Sequence, residues 1–312
     1  MFIGTTNARS MGNWATRARK MHHYKRQKNL DLLIISEIQG FNTTEYTPLN
    51  PDPRAHPWSR QINLQSLWGK HVAIVALCPN IDLEFIESHE DERIIIARAT
   101  DTKTHQSLWI IGIYISPQFD KSKSQWDTLN CIEIINNTVL AGNFNTWTDK
   151  LRDTFPVQNK PHHKGATMLQ FMAAKGLIFN LDKDEEGPAS LTCWAFDIDD
   201  SPIKGSRLGY VLVAGALASI TSKSIVITSL VSDHMIVVVK IAKPKKKKQV
   251  WSIMPARMQN IEWVRPMEKT LPKIIDALKI TEKDIPKRWE KIKEIIKEKT
   301  NEYEKHWKAS RY

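Results

Sequence analysis

The chain has 312 residues, 41% of them hydrophobic and 25% charged, with a formal net charge of +11 at neutral pH. Those figures describe an ordinary soluble globular protein, long enough for one large domain plus an appendage. No run of about eighteen apolar residues occurs, which excludes a helical membrane span, and the apolar start is too short for a secretory signal.

In chain order, short β-branched runs come first and often. Strands are expected over 30–38, 71–77, 93–100, 107–116, 136–144, 208–214 and 234–242. Several are apolar at nearly every position, which suits strands buried on both faces. Helices are expected between them over 13–27, 123–137 and 165–178. In the last, Met168, Leu169, Met172 and Ala173 share one face and Gly176 marks the stop. This interleaving predicts an α/β layered domain over residues 1–242.

Residues 243–250 hold the lysine cluster Lys243, Lys245, Lys246, Lys247 and Lys248, read as a solvated linker or a phosphate-binding strap. Residues 251–312 change period. Ile285, Trp289, Ile292, Ile296, Tyr303 and Trp307 form one helical stripe opposite Lys and Glu, which must bury itself on the first domain, a partner or a further domain. Charge follows the same division. From Lys243 onward 20 Lys and Arg face 10 Asp and Glu, whereas the preceding residues carry 25 against 24. Affinity for polyanions from bulk charge therefore belongs mainly to the tail.

Cys78, Cys131 and Cys193 lack CxxC or Cys/His spacing and read as reduced thiols of an intracellular protein. The pairs His22–His23 and His162–His163 have no partner at ligand spacing and read as surface histidines. The polar residues at the ends of apolar strands are more informative: Asn7, Glu37, Tyr114, Asn143, Asn145, Arg207 and the pair Asp233–His234. Taken singly, Glu37 is either a solvated carboxylate or bound to something, and Ser-Asp-His before the last strand is either a turn or a functional pair.

Their order is more specific. "TTNARSM", "IISEIQG", "IGIYISP", "LAGNFNTW", "GSRLGYVLV" and "LVSDHMIVVV" resemble the successive motifs of the endonuclease/exonuclease/phosphatase superfamily. The likeness leans to the apurinic-type endonuclease domains of non-LTR retrotransposons and covers nearly all of 1–242. The stretch "KKKKQVWSIMPARM" is similar to the segment joining such domains to a reverse transcriptase. The resemblance implies a four-layered α/β sandwich, two packed mixed sheets flanked by helices, with a C-terminal helical extension.

It also implies roles. Glu37 would hold Mg²⁺ or Mn²⁺ with Asp233, and Asn7 would steady that site. Tyr114 and Asn145 would lie at the scissile phosphate, and His234 would polarise it. Apart from the resemblance, Arg207, Trp147, Trp194 and Lys245 to Lys248 are the candidate nucleic-acid contacts by position and charge, although tryptophans read more readily as core and groove wall than as a stacking platform. DNA is the implied partner, a downstream reverse transcriptase a second one, and nuclear access the implied destination. Neither a membrane nor a small-molecule cofactor is implied.

Two positions depart from the pattern. Asn143 stands where the family has the aspartate that activates water, and Gly209 where it has the aspartate that orients the histidine. Loss of a general base costs about 10²–10⁴ in rate, and loss of two carboxylates from one cleft lowers metal affinity. The expectation is a metal-dependent DNA endonuclease of a retroelement, impaired in this copy and amounting to a pseudoenzyme. The rivals are a catalytically silent nucleic-acid-binding module and a phosphomonoesterase of the same superfamily.

Overall fold

The computed structural model describes residues 1–9, 11, 14–26, 30–38, 49–157, 163–179, 191–197, 199, 202–242, 264–265, 268–269, 272–273 and 291–302. The chain divides into two compact units, Met1–Pro244 and Lys245–Tyr312. The strands of the first unit begin with β1 (Phe2–Asn7), β2 (Leu32–Ser36), β3 (Ser66–Trp68), β4 (Val72–Ala76), β5 (Ile81–His89), β6 (Ile94–Asp101) and β7 (Gln106–Tyr114). They continue as β8 (Thr138–Asn143), β9 (Thr154–Phe155), β10 (Leu177–Phe179), β11 (Cys193–Phe196), β12 (Pro202–Ser206), β13 (Gly209–Ala214), β14 (Ile225–Ile227) and β15 (Ile236–Lys240). The helices are α1 (Trp14–Arg26), α2 (Pro57–Ile62), α3 (Phe119–Cys131), α4 (Lys150–Asp153) and α5 (His163–Lys175).

Two six-stranded sheets form, in the orders β14-β15-β1-β2-β4-β3 and β10-β13-β8-β7-β6-β5, with a small third sheet, β11-β12-β9. Both large sheets are mixed, because β1 runs parallel to β2 and β7 parallel to β8 while the other pairs are antiparallel. Period-two alternation explains the layering. In β2, Leu32 and Ile34 enter the core between the sheets, where Ile95, Ile110, Val139 and Val211 meet them. Leu33 and Ile35 point the other way, into a layer with Met21 and Tyr24 of α1. Trp126, Leu129, Met168 and Phe171 of α3 and α5 cover the far face of the second sheet. Each fully buried aliphatic or aromatic side chain contributes roughly 1.5–3 kcal/mol. The expected sandwich of two sheets between helices is what forms.

Two helices differ from their expected spans. α3 starts at Phe119 and ends at Cys131 rather than running from 123 to 137. Ser122, Gln125, Trp126 and Leu129 supply its buried face, and Ile132 is already extended at φ −70° and ψ 132°. The β-branched residues that follow favour that extended backbone, and a turn from Ile135 to Thr138 leads into β8. α5 runs from His163 to Lys175 rather than from 165 to 178: Gly176, the expected stop, is left-handed at φ 61°, and Leu177 and Ile178 belong to β10.

Gly142 has a stricter requirement. A Cβ there would lie 1.9 Å from the Ile113 carbonyl oxygen, so only glycine lets β8 approach β7 this closely and set Asn143 opposite Tyr114. In the second unit, 291–302 is helical, with Ile292, Ile295 and Ile296 half-buried and Thr300 buried. Ile285, Trp289, Tyr303 and Trp307 of the expected stripe, and Lys243 and Lys245 to Lys248, lie outside the described residues. Among the described residues no helix is long and apolar enough to cross a membrane.

Candidate active site

In the first sheet β1 and β2 end where β15 begins, and in the second β7 and β8 end where β13 begins, because parallel pairs share a direction and antiparallel partners reverse it. The Glu37 charge acts on Tyr114, so these two edges adjoin. Asn7 closes β1 and its Nδ2 donates to Glu37 Oε2 at 2.6 Å. Asn7 Oδ1 accepts the Arg9 amide at 2.7 Å, and its carbonyl accepts the Ser232 hydroxyl at 2.8 Å. Arg9 is ion-paired through Nη1 to Asp233 Oδ2, and His234 follows immediately. One short chain of contacts thus joins Glu37, Asn7, Asp233 and His234, which the sequence separates by nearly the whole unit.

Three residues here hold left-handed backbone: Arg9 at φ 47°, Glu37 at φ 54° and Asn145 at φ 46°. Asparagine tolerates this region, whereas a longer side chain there costs roughly 1–2 kcal/mol. Such conformations concentrate where function fixes a side chain. At Glu37 the reversal ends β2 and accompanies the contact with Asn7.

The second sheet supplies the other wall. Asn143 lies directly opposite both Tyr114 and Gly209 in its ladders. It is 2% exposed, its Oδ1 accepts the Asn145 amide at 2.9 Å, and its Nδ2 has no partner among the described residues. A buried orphan donor of this kind costs about 1–3 kcal/mol and suits a ligand that brings an acceptor. Asn145 Nδ2 is tied to the Ile115 carbonyl at 2.7 Å, and the Asn145 side chain also meets the Tyr114 hydroxyl. Burial raises the Tyr114 pKa, and the Glu37 charge adds to that rise. Burial likewise pushes the His234 imidazole down to about 4, against the opposing pull of Asp233, so it is neutral near pH 7.

The donors present fit a hard divalent cation in part. Glu37 keeps Oε1 clear of hydrogen bonds among the described residues, and Asn7 orients its other oxygen. Asp233 is less available, because Arg9 competes for it, although that arginine is 70% exposed and can swing away. Asn143 brings an amide where such an ion would favour a carboxylate.

Some expected residues do not join the cleft as foreseen. Arg207, expected at nucleic acid, is buried: its Nη1 lies 3.1 Å from Asp153 Oδ1, with both side chains 2% exposed. Its amide donates to the Asp153 carbonyl at 2.8 Å, so this arginine supports the fold instead of reaching a ligand. Trp194 lies on β11, half-buried between Phe155 and Phe196, and Trp147 is half-buried beside Gly165.

His71 and Arg93 were not foreseen. The His71 imidazole stacks on Tyr114, with ring centroids 5.9 Å apart and planes 19° from parallel, and the Arg93 guanidinium lies 5.1 Å from the Tyr114 ring centroid. Both precede strands, and reading mainly the residues that follow strands passes over them. Burial, reinforced by the Arg93 charge, lowers the His71 pKa to about 4. The unfolded chain therefore takes up this proton first, near pH 6.5. Stability is complete above that pH and is lost as the pH falls toward 4. His71→Phe, which keeps the stack, is expected to flatten the melting temperature against pH over that window. An unchanged curve would remove His71 from the acid response.

No family model matches this chain, and no curated protein matches it in sequence. Solved structures do match in fold. The endonuclease domain of TRAS1, a telomere-specific non-LTR retrotransposon, aligns over 78% of this chain and 99% of its own, with a TM-score of 0.53 and 12% identity. The AP endonuclease LMAP from Leishmania major aligns over 78% and 88%, with a TM-score of 0.57 and 12% identity. The 3'-5' exonuclease NExo from Neisseria meningitidis covers 78% and 100%, at 0.56 and 21% identity. With identities this low the likeness is one of architecture: this chain shares the two-sheet α/β fold of these solved structures.

Proposed function

We propose that the first unit is a divalent-metal-dependent DNA endonuclease domain of retroelement type whose turnover is impaired by Asn143 and Gly209. The observation that carries this reading is the gathering of Asn7, Glu37, Tyr114, Asn143, Asn145, Asp233 and His234 at one edge of the two sheets. The fold's likeness to nucleases adds to it.

Glu37, held by Asn7, and Asp233 would bind Mg²⁺ or Mn²⁺. The chemistry the ion supplies when bound is neutralisation of phosphate oxygens. Asn143 Nδ2 and the Tyr114 hydroxyl offer hydrogen bonds to the phosphate, and neutral His234 offers an N–H to the developing charge. The missing function is proton removal from the attacking water. An amide has no basic lone pair near neutral pH, and Gly209 gives His234 no carboxylate to make it cationic.

Supercoiled plasmid with Mg²⁺ or Mn²⁺ tests the reading. Slow open-circle formation that rises when both aspartates are installed supports it, and fast nicking by the unaltered chain refutes the impairment. A silent double variant that still retains DNA in a gel would instead favour the binding module. Glu37→Gln is expected to abolish the metal-dependent part of any nicking, because it removes the carboxylate charge while Asn7 keeps a partner. Equal rates with and without that change would take Glu37 out of the metal site.

The second unit is proposed to supply much of the electrostatic affinity for DNA. Replacing Lys245, Lys246, Lys247 and Lys248 by Gln is expected to reduce the slope of log affinity against log salt by about 3–4, at ~0.9 per phosphate contact. An unaltered slope would place the footprint elsewhere.

A further inference from the structure

Cys193 has no role in the chemistry above, yet it stands beside the histidine. It opens β11 and forms an isolated antiparallel bridge with His234. The Trp194 amide donates to the Asp233 carbonyl at 3.2 Å and the Met235 amide to the Thr192 carbonyl at 2.8 Å, fixing the two segments on either side. Directly opposed residues in an antiparallel pair project to the same face, so main-chain hydrogen bonding holds thiol and imidazole together. Among Cys193, Asp233 and His234, one ligand atom from each lies within 4.8 Å of the others. His234 is 7% exposed, so its imidazole is enclosed together with the thiol and the carboxylate.

We propose that Cys193, Asp233 and His234 bind a thiophilic divalent cation, Zn²⁺ by donor type, in a site that shares Asp233 with the oxygen donors at Glu37, so that the two cations compete for that carboxylate. Thiolate, imidazole and carboxylate are the donors Zn²⁺ takes, and three of them leave one tetrahedral position for water or a phosphate oxygen. Donors around Zn²⁺ stand about 3.5 Å apart, so closure asks for side-chain movements of about 1 Å. The Arg9 pairing leaves Asp233 Oδ1 for the ion, with only a long contact of 3.4 Å from the Ser232 hydroxyl.

Burial first, and then the Asp233 charge, push the Cys193 thiol up to about 11, so it is protonated when no cation is bound. Binding replaces the S–H bond with S–Zn and releases one proton to solvent. The same negative charge that holds the proton on sulfur attracts the cation.

Co²⁺ as a spectroscopic probe for Zn²⁺, added to the full chain, tests this without reading DNA cleavage. Its outcome is therefore independent of whether the protein nicks DNA. The natural chain is expected to show a thiolate-to-cobalt charge-transfer band that Zn²⁺ bleaches. Cys193→Ser is expected to lose the band and weaken Zn²⁺ binding by more than about 100-fold, since outer-shell partners alone are worth ~10–100-fold. Cys78→Ser with Cys131→Ser is expected to keep both. Absence of the band in the natural chain, or its survival in Cys193→Ser, overturns the proposal. Should Cys193→Ser fail to fold, alkylation of the natural chain decides. Zn²⁺ protection of Cys193, with the exposed Cys131 still labelled, supports the site, and equal labelling of Cys193 with and without Zn²⁺ refutes it.

Discussion

Asn143→Asp combined with Gly209→Asp is expected to raise metal-dependent plasmid nicking about 10²–10⁴-fold over the natural chain, or ~2.7–5.5 kcal/mol of barrier. Asn143 is already seated for the task. It is buried at the end of β8, its Oδ1 is oriented by the Asn145 amide, and only its Nδ2 is out of keeping with a base. Gly209 is its ladder partner and has room. A Cβ there would meet Thr192 Oγ1 at 3.6 Å and Val237 Cγ2 at 3.7 Å, ordinary contact distances. Gly209 is not among the glycines with positive φ, so a side chain there meets no backbone strain.

The carboxylate at 209 should raise the His234 pKa from about 4, since opposite charge favours the imidazolium. Single-turnover rates against pH read this directly, as activity retained to higher pH when an imidazolium is required. The two substitutions act on one unit, so their effects should not multiply. Equal nicking by the natural chain and the double variant would mean that neither carboxylate limits the reaction.

The second large effect is on folding. Asp153→Ala is expected to destabilise the first unit by about 3–5 kcal/mol, because it removes a buried carboxylate paired with the Arg207 guanidinium. Asp153 also gathers the Thr148 amide at 2.8 Å, the Thr148 hydroxyl at 2.9 Å, the Asp149 amide at 2.9 Å and the Tyr210 hydroxyl at 3.3 Å. These contacts tie the loop after β8 to the loop before β13, the two segments that flank Asn143 and Gly209. For a unit of this size the loss corresponds to a melting temperature lower by roughly 6–20 °C. Arg207→Met is expected to cost less, since Asp153 keeps four donors. If Asp153→Ala melted like the natural chain, the pair would be bystanders.

The main strands were legible because their apolar runs are long and buried on both faces. All seven expected runs contain a strand. β5 went unseen, although Ile81, Leu83 and Phe85 alternate with Asp82 and Glu84, since its second half turns polar. β11 and β12 are too short and too exposed to leave a hydrophobic signature. At the cleft, the order of polar residues along the chain indicated which ones to bring together. Sequence order could not separate the buried Arg207 from a surface arginine, because a buried ion pair depends on Asp153, a residue with no pattern of its own. Cys193 was equally hidden, since its neighbour His234 is far away in sequence.

β1 sits inside the first sheet between β15 and β2, and the pairing of Phe2 with Lys240 joins the start of the unit to its end. Asn7 lies on β1 and His234 stands just ahead of β15, so the cleft is complete only once the far end of the unit has closed against β1, and a fragment lacking β15 would leave Asn7 and Glu37 without Asp233 and His234.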